Sequence, residues 1–113
     1  MRKIKTLKKN YEYKNVLSKG KFYIGKQITI YITENRKENN VIGIAISTKT
    51  CNAVKRNKIK RLIREIYRLN SSNIKKGYNI VFLWNKNSEV KNTTFKIIED
   101  EIMKIFKKAD MFI

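Results

Sequence analysis

The chain contains no histidine and no proline, and Cys51 is its single cysteine. Histidine is the side chain that most often performs acid–base catalysis at neutral pH, so its absence weighs against an autonomous enzyme. One cysteine cannot form an intrachain disulfide, and with no histidine a Cys/His metal site is excluded. Acidic residues are scarce: nine Asp and Glu stand against 27 Lys and Arg, for a formal net charge of +18. The acids are also scattered, and only Glu99, Asp100 and Glu101 are consecutive. They stand among Lys96, Lys104 and Lys107, where helix-surface ion pairing is the expected role. No residue is therefore assigned as catalytic or as a metal ligand. No apolar run approaches the ~20 residues that a membrane-spanning helix requires. The basic start Met1–Asn10 is not followed by an apolar stretch, so no signal peptide is expected. The simplest expectation is a soluble cytoplasmic protein with a reduced thiol.

What is present is enough for one modest core. The 113 residues are 42% hydrophobic and 11% aromatic, which predicts a single domain over residues 1–113. The excess of positive charge speaks of partners rather than of fold, with nucleic acid first and an anionic membrane surface second.

Hydrophobic periodicity sets out the elements. Leu7–Ser18 carries Tyr13, Val16 and Leu17 at helical spacing, with Gly20 as a stop beyond it. Tyr13, between Lys9 and Lys14, is also a candidate stacking surface for a base. Phe22–Thr33 reads as one alternating strand. Ile28, Ile30 and Ile32 point one way, while Gln27, Thr29, Tyr31 and Thr33 point the other. That pattern suits a sheet covered by helices on one face only. The polar loop Glu34–Asn40 predicts a hairpin to a strand at Val41–Ser47, where small Gly43 and Ala45 leave room for a close neighbour. Tyr78–Trp84 is almost continuously apolar, as expected of a central strand buried on both faces. A last helix follows Asn92 or Thr93 as cap, with Phe95, Ile98, Ile102, Ile105 and Phe106 as its core stripe. The order α-β-β-α-β-α, with room for a short extra strand, predicts a two-layer α+β sandwich containing a βαβ unit.

The most informative stretch is Asn52–Leu69, NAVKRNKIKRLIREIYRL. On a helical wheel Ile59, Leu62, Ile63 and Ile66 share one face, and Asn57, Lys60, Arg61, Arg64 and Arg68 share the opposite one. Arg56 and Lys58 lie on the flanks, and Asn52 is a natural N-cap. A solvated helix face mixes charge signs, whereas this one carries only Glu65 against its cations. A membrane-surface helix needs its apolar face free, and here that face is required to cover the sheet. Binding of a nucleic-acid backbone is the remaining reading, with Arg as a planar two-pronged phosphate donor. Nothing resembles two short helices in tandem, so DNA is not an expected partner. Tyrosines on a sheet face beside a basic helix favour single-stranded RNA. A structural RNA-binding protein of ribosomal type, with no role in cleavage, is the alternative.

NAVKRNKIKRLIRE closely resembles the signature of the bacterial ribonuclease P protein family. The flanks LKKNYEYKNVLSKGK, IGIAIST and LNSSNIKKGYNIVFL are similar to the family over nearly the whole chain. The resemblance implies the fold of the second domain of a small-subunit ribosomal protein, with a left-handed βαβ crossover. It implies a subunit bound to a large catalytic RNA that removes the 5′ leader of precursor tRNA. Hydrolysis then belongs to the RNA and its Mg²⁺ ions, leaving a 5′-phosphate on the tRNA and a 3′-hydroxyl on the leader. By the same resemblance Lys49, Asn52, Arg56, Asn57, Lys58, Lys60, Arg61, Arg64 and Arg68 face the catalytic RNA and the precursor. Tyr13, Leu17, Lys26, Tyr31 and Ser47 would form the leader cleft. Departures from the family pattern are Leu17 for a Phe, Thr48 for a common Lys, Cys51 for a Gly, and Lys58 for an Arg. Lys58 keeps the charge and loses the fork.

Overall fold

The computed structural model describes residues 5–49, 51–85 and 94–113. Five strands form one sheet: β1 (Lys5–Thr6), β2 (Lys21–Ile24), β3 (Ile28–Glu34), β4 (Val41–Ala45) and β5 (Tyr78–Trp84). Three helices accompany it: α1 (Asn10–Lys19), α2 (Ala53–Asn70) and α3 (Phe95–Lys108). The strand order is β1-β4-β5-β3-β2. β5 takes the centre because Ile80, Val81 and Phe82 demand cover on both faces, and none of the three is exposed. It runs parallel to β4 and antiparallel to β3, so β4, α2 and β5 form the expected βαβ unit.

Two strand expectations are corrected. The hairpin from β3 to β4 does not form, because β5 lies between them. The single alternating strand Phe22–Thr33 is two strands, folded back at Gly25–Gln27 into an antiparallel pair. The turn is held from three sides. Gly25 N–H donates to the Ile28 carbonyl at 2.8 Å, and Gln27 N–H donates to the Glu101 carboxylate at 2.8 Å. The Asn85 amide donates to the Gly25 carbonyl at 2.9 Å. A Cβ on Gly25 would fall 2.6 Å from the Ile28 oxygen, so the tight return needs glycine. Folding back has a consequence for side-chain direction. Continuous alternation would put Phe22 with Ile28 and Ile30, whereas the register pairs it with Tyr31 on the opposite face.

The main core is the layer between the sheet and the pair α2 and α3. Ile59, Ile63 and Ile66 of α2 and Ile98, Ile102, Ile105 and Phe106 of α3 meet Ile30, Ile32, Ile42, Ile80 and Phe82. Each such buried side chain contributes about 1.5–3 kcal/mol. The amphipathic stripes of both helices fall where their spacing puts them. Asn52 caps α2, its side-chain oxygen accepting from Lys55 N–H at 2.9 Å. The α3 cap is Thr94, whose hydroxyl accepts from Ile97 N–H at 3.3 Å; Asn92 and Thr93 lie outside the described residues. Of the acidic triplet, Asp100 pairs with Lys96 at 3.9 Å as expected, but Glu101 serves the β2–β3 turn instead.

α1 occupies the other face, so helices do not cover one side only. It starts at Asn10 rather than Leu7. Leu7 is buried in extended chain beside β4, its N–H donating to the Ile42 carbonyl at 2.8 Å. Glu12 then accepts from Lys9 N–H at 3.1 Å and fixes the first turn. Spacing also failed to reveal a buried polar knot. The Asn40 amide donates to Tyr67 Oη at 3.1 Å and to the Lys75 carbonyl at 2.8 Å, and its oxygen accepts from Tyr78 N–H at 2.9 Å. Burial holds the Tyr67 hydroxyl above its usual range, with the Asn40 hydrogen bond opposing.

Candidate nucleic-acid interface

On the α1 face, Phe22, Tyr31, Val81 and Gly43 stand in register across β2, β3, β5 and β4. They form one row of the sheet. At Gly43 the missing side chain is replaced by the Tyr13 ring: a Cβ there would lie 2.6 Å from Tyr13 Cε1 and 3.0 Å from Leu7 Cδ1. Tyr13, Val16 and Leu17 of α1 close over Leu7, Tyr31, Val41, Ala45 and Val81 as a second apolar cluster. Exposure rises along the row, from 0% at Val81 through half-buried Tyr31 to 57% at Phe22. The helix thus roofs one end and leaves an aromatic surface open at the other.

The roofed end meets the basic helix. A hollow of about 460 Å³ is lined by Tyr13, Gly43, Lys60 and Arg64 together with Thr6, Leu7, Ile42 and Ile44. Two cations and an aromatic ring therefore border one space. A larger hollow of about 1300 Å³ lies between the β2–β3 turn and α3. Phe22, Ile24 and Lys26 line it with Lys104, Lys107 and Lys108, but Asp100 and Glu101 offset part of the charge and no arginine offers a two-pronged phosphate contact. Size is not the guide here.

The motif residues separate into free and engaged groups. Asn57, Lys58, Arg61 and Arg64 are exposed on α2, and Lys60 is half-buried beside them. Arg56 instead turns back onto the β4–α2 loop, its Nη1 donating to the Cys51 carbonyl at 2.6 Å and the Thr48 carbonyl at 3.3 Å. That clamp spans the loop that delivers the chain from the sheet to the helix. Ser47 and Lys49 sit in the same loop, where the Ser47 hydroxyl accepts from Lys49 N–H at 3.2 Å. Asn52 is engaged as the cap. Arg68 binds Glu65 through two nitrogens, Nε at 3.1 Å to Oε2 and Nη2 to Oε1. The hydrogen bond from Arg68 holds the Glu65 carboxyl below its usual range, and Glu65 in turn raises Arg68. The pair is charged, and locally neutral, at physiological pH.

The five residues assigned to the cleft do not all meet. Tyr13, Leu17 and Tyr31 share the cluster under α1. Lys26 lies in the β2–β3 turn and lines the larger hollow beside α3. Phe22 is not among them, and unbroken alternation would also point it to the opposite face. Its ring centroid lies 5.6 Å from that of Tyr31. The glycine of the β2–β3 turn was the available signal.

A profile of the Ribonuclease P family matches residues 1–110. The chain belongs to the ribonuclease P protein family. The ribonuclease P protein component of Clostridium novyi is 39% identical over 116 residues, covering 99% of each chain. That of Clostridioides difficile is 40% identical over 110 residues, covering 96% of this chain and 95% of the relative. Among solved structures, the Staphylococcus aureus RNase P protein aligns with a TM-score of 0.85 at 30% identity, over 98% of this chain and 100% of that one. The Thermotoga maritima RNase P protein aligns with a TM-score of 0.83 at 26% identity, over 95% and 97% of the two chains. As a ribonuclease P protein, the chain is the protein part of a ribonucleoprotein endoribonuclease that processes the 5′ end of tRNA, and its partner is the ribonuclease P RNA. None of its described helices is long and apolar enough to cross a membrane.

Proposed function

We propose that the rim where α1 meets the sheet binds the 5′ leader of precursor tRNA as an unpaired strand, while the exposed face of α2 holds the phosphates of the RNA subunit and of the precursor. The observation that carries this reading is the hollow bordered jointly by Tyr13, Lys60 and Arg64. It brings a stacking ring and two phosphate donors to one place, which is what a single strand needs. Tyr31, half-buried on the far side of buried Val81, offers a second ring on the same face of the sheet. Base stacking tolerates any base, so one cleft can serve leaders of differing sequence.

Hydrolysis is assigned to the RNA subunit, and Mg²⁺ mainly to the RNA. Mg²⁺ is ordinarily held by phosphates and water with one or two carboxylates, and among the described residues no three His, Cys, Asp or Glu side chains gather as a ligand set. Glu101, of the acidic triplet, is engaged by a backbone amide of the turn. The protein's part is to hold the leader on one side of the scissile bond and RNA phosphates on the other.

Tyr31→Ala tests the cleft. In the reconstituted ribonucleoprotein it should weaken binding of leader-bearing precursor by about 1–3 kcal/mol, with mature tRNA unaffected. Equal weakening for precursor and mature tRNA would remove the leader from this face.

A further inference from the structure

The row of side chains that begins under α1 ends on β2, outside the roof. Phe22 is 57% exposed there, and Ile24, two residues along the same face, is 71% exposed. Phe22 adjoins Tyr31 on one side, and with Ile24 it borders the hollow beside α3 on the other, so it is part of an exposed apolar patch rather than a single bare side chain, and such patches mark interaction surfaces. The Phe22 and Tyr31 rings lie side by side on neighbouring strands, their planes inclined at 35°. They are not stacked face to face, so each ring is available to a further planar group.

Resting on the leader-binding reading above, we propose that Phe22 is a second stacking platform, taking an unpaired base of the 5′ leader beyond the one held at Tyr31. Two observations select the occupant. The chain carries a net charge of +18, so a second copy is repelled and a polyanion is drawn. The patch also adjoins Tyr31, whose ring centroid lies 5.6 Å from that of Phe22, so a strand with one base at Tyr31 arrives next at Phe22. Sequence order along the leader then follows spatial order along the sheet. The base at Tyr31 is then the nearer to the cleavage site, and the next base upstream lies at Phe22. Phe22 thereby sets how many leader nucleotides contribute to affinity.

The test uses the reconstituted ribonucleoprotein and precursor tRNAs whose leaders are shortened one nucleotide at a time. Phe22→Ala should lower affinity about fivefold or more for long leaders, the lower end for removal of one base–aromatic stack. It should have no effect on mature tRNA, or on leaders too short to pass Tyr31. Phe22→Tyr should retain wild-type affinity. Phe22→Leu, which keeps an apolar side chain but no ring, should behave as the alanine variant and guards against a folding defect in the latter. If Phe22→Ala and Phe22→Leu bind every precursor as wild type does while Tyr31→Ala does not, the platform is overturned and the cleft stands. If none of the three changes leader binding, the cleft reading falls as well. Equal weakening of mature tRNA by Phe22→Ala would also overturn the platform, because the ring would then touch another part of the RNA.

Discussion

Replacing Lys60, Arg61 and Arg64 together with alanine should lower affinity for the ribonuclease P RNA about a thousandfold at physiological salt, from roughly 1.5 kcal/mol for each charge-assisted hydrogen bond to phosphate that is removed. Arg61 and Arg64 are exposed and Lys60 is half-buried at the border of the hollow, and none of the three belongs to the Ile59, Ile63 and Ile66 stripe. Their removal exposes no core, so the melting temperature should stay close to that of the parent protein. The salt dependence is the sharper readout. Each neutralised phosphate releases condensed counterions, so the slope of log affinity against log salt should shrink by about two to three. Arg68→Ala supplies the internal comparison, since Arg68 is already neutralised by Glu65 and its removal should change the slope less. A triple variant with an unchanged slope would show that this face does not bind phosphate.

Gly43→Val should damage stability and leader binding together, although residue 43 offers no side chain to the RNA. The space that a Cβ needs is filled by the Tyr13 ring, with Cε1 at 2.6 Å and Cζ at 2.9 Å. Tyr13 cannot simply swing away. One turn later on α1, Val16 is 1% exposed in the cluster over Val81 and fixes the helix to the sheet. Valine must therefore lift α1 or expel the ring, at a cost of about 1–3 kcal/mol in urea unfolding. Expelling Tyr13 also takes the aromatic wall from the hollow bordered by Lys60 and Arg64, so precursor with a leader should be weakened more than mature tRNA. Parental stability with parental leader affinity would mean that Tyr13 does not sit on Gly43.

These two variants mark what is legible in the sequence and what is not. The two-faced nature of α2 is legible because helical spacing is local, and so is its cap at Asn52. The small residues of β4 are legible as a place of close approach, but not which residue approaches. Tyr13 meets Gly43 across 30 positions of sequence, and no periodicity reports such a meeting. Pairing is the weakest part. A polar loop between two strands argues for a hairpin, yet the strongly apolar β5, contributed later in the chain, inserts between β3 and β4. Phe22 escapes for a related reason, since one tight turn at Gly25 reverses the face on which alternation places it. Arg56 shows a different limit. Its charge is evident, but its engagement with the Thr48 and Cys51 carbonyls depends on a loop conformation that composition does not encode. Family resemblance proposes the neighbourhood of the site, and geometry divides its residues into those exposed on α2 and those that hold the loop and helix in place.

The central claim is a division of labour, with the leader held by this protein and the bond broken by the RNA. It is tested most directly by assaying precursor tRNA cleavage with the protein alone, the RNA alone and the two combined, using leaders of increasing length. No cleavage by the protein alone is expected at any magnesium concentration. Cleavage by the RNA is expected, with a gain in affinity on adding the protein that grows with leader length and vanishes for mature tRNA. Cleavage by the protein alone, or a gain independent of the leader, would contradict this division of labour.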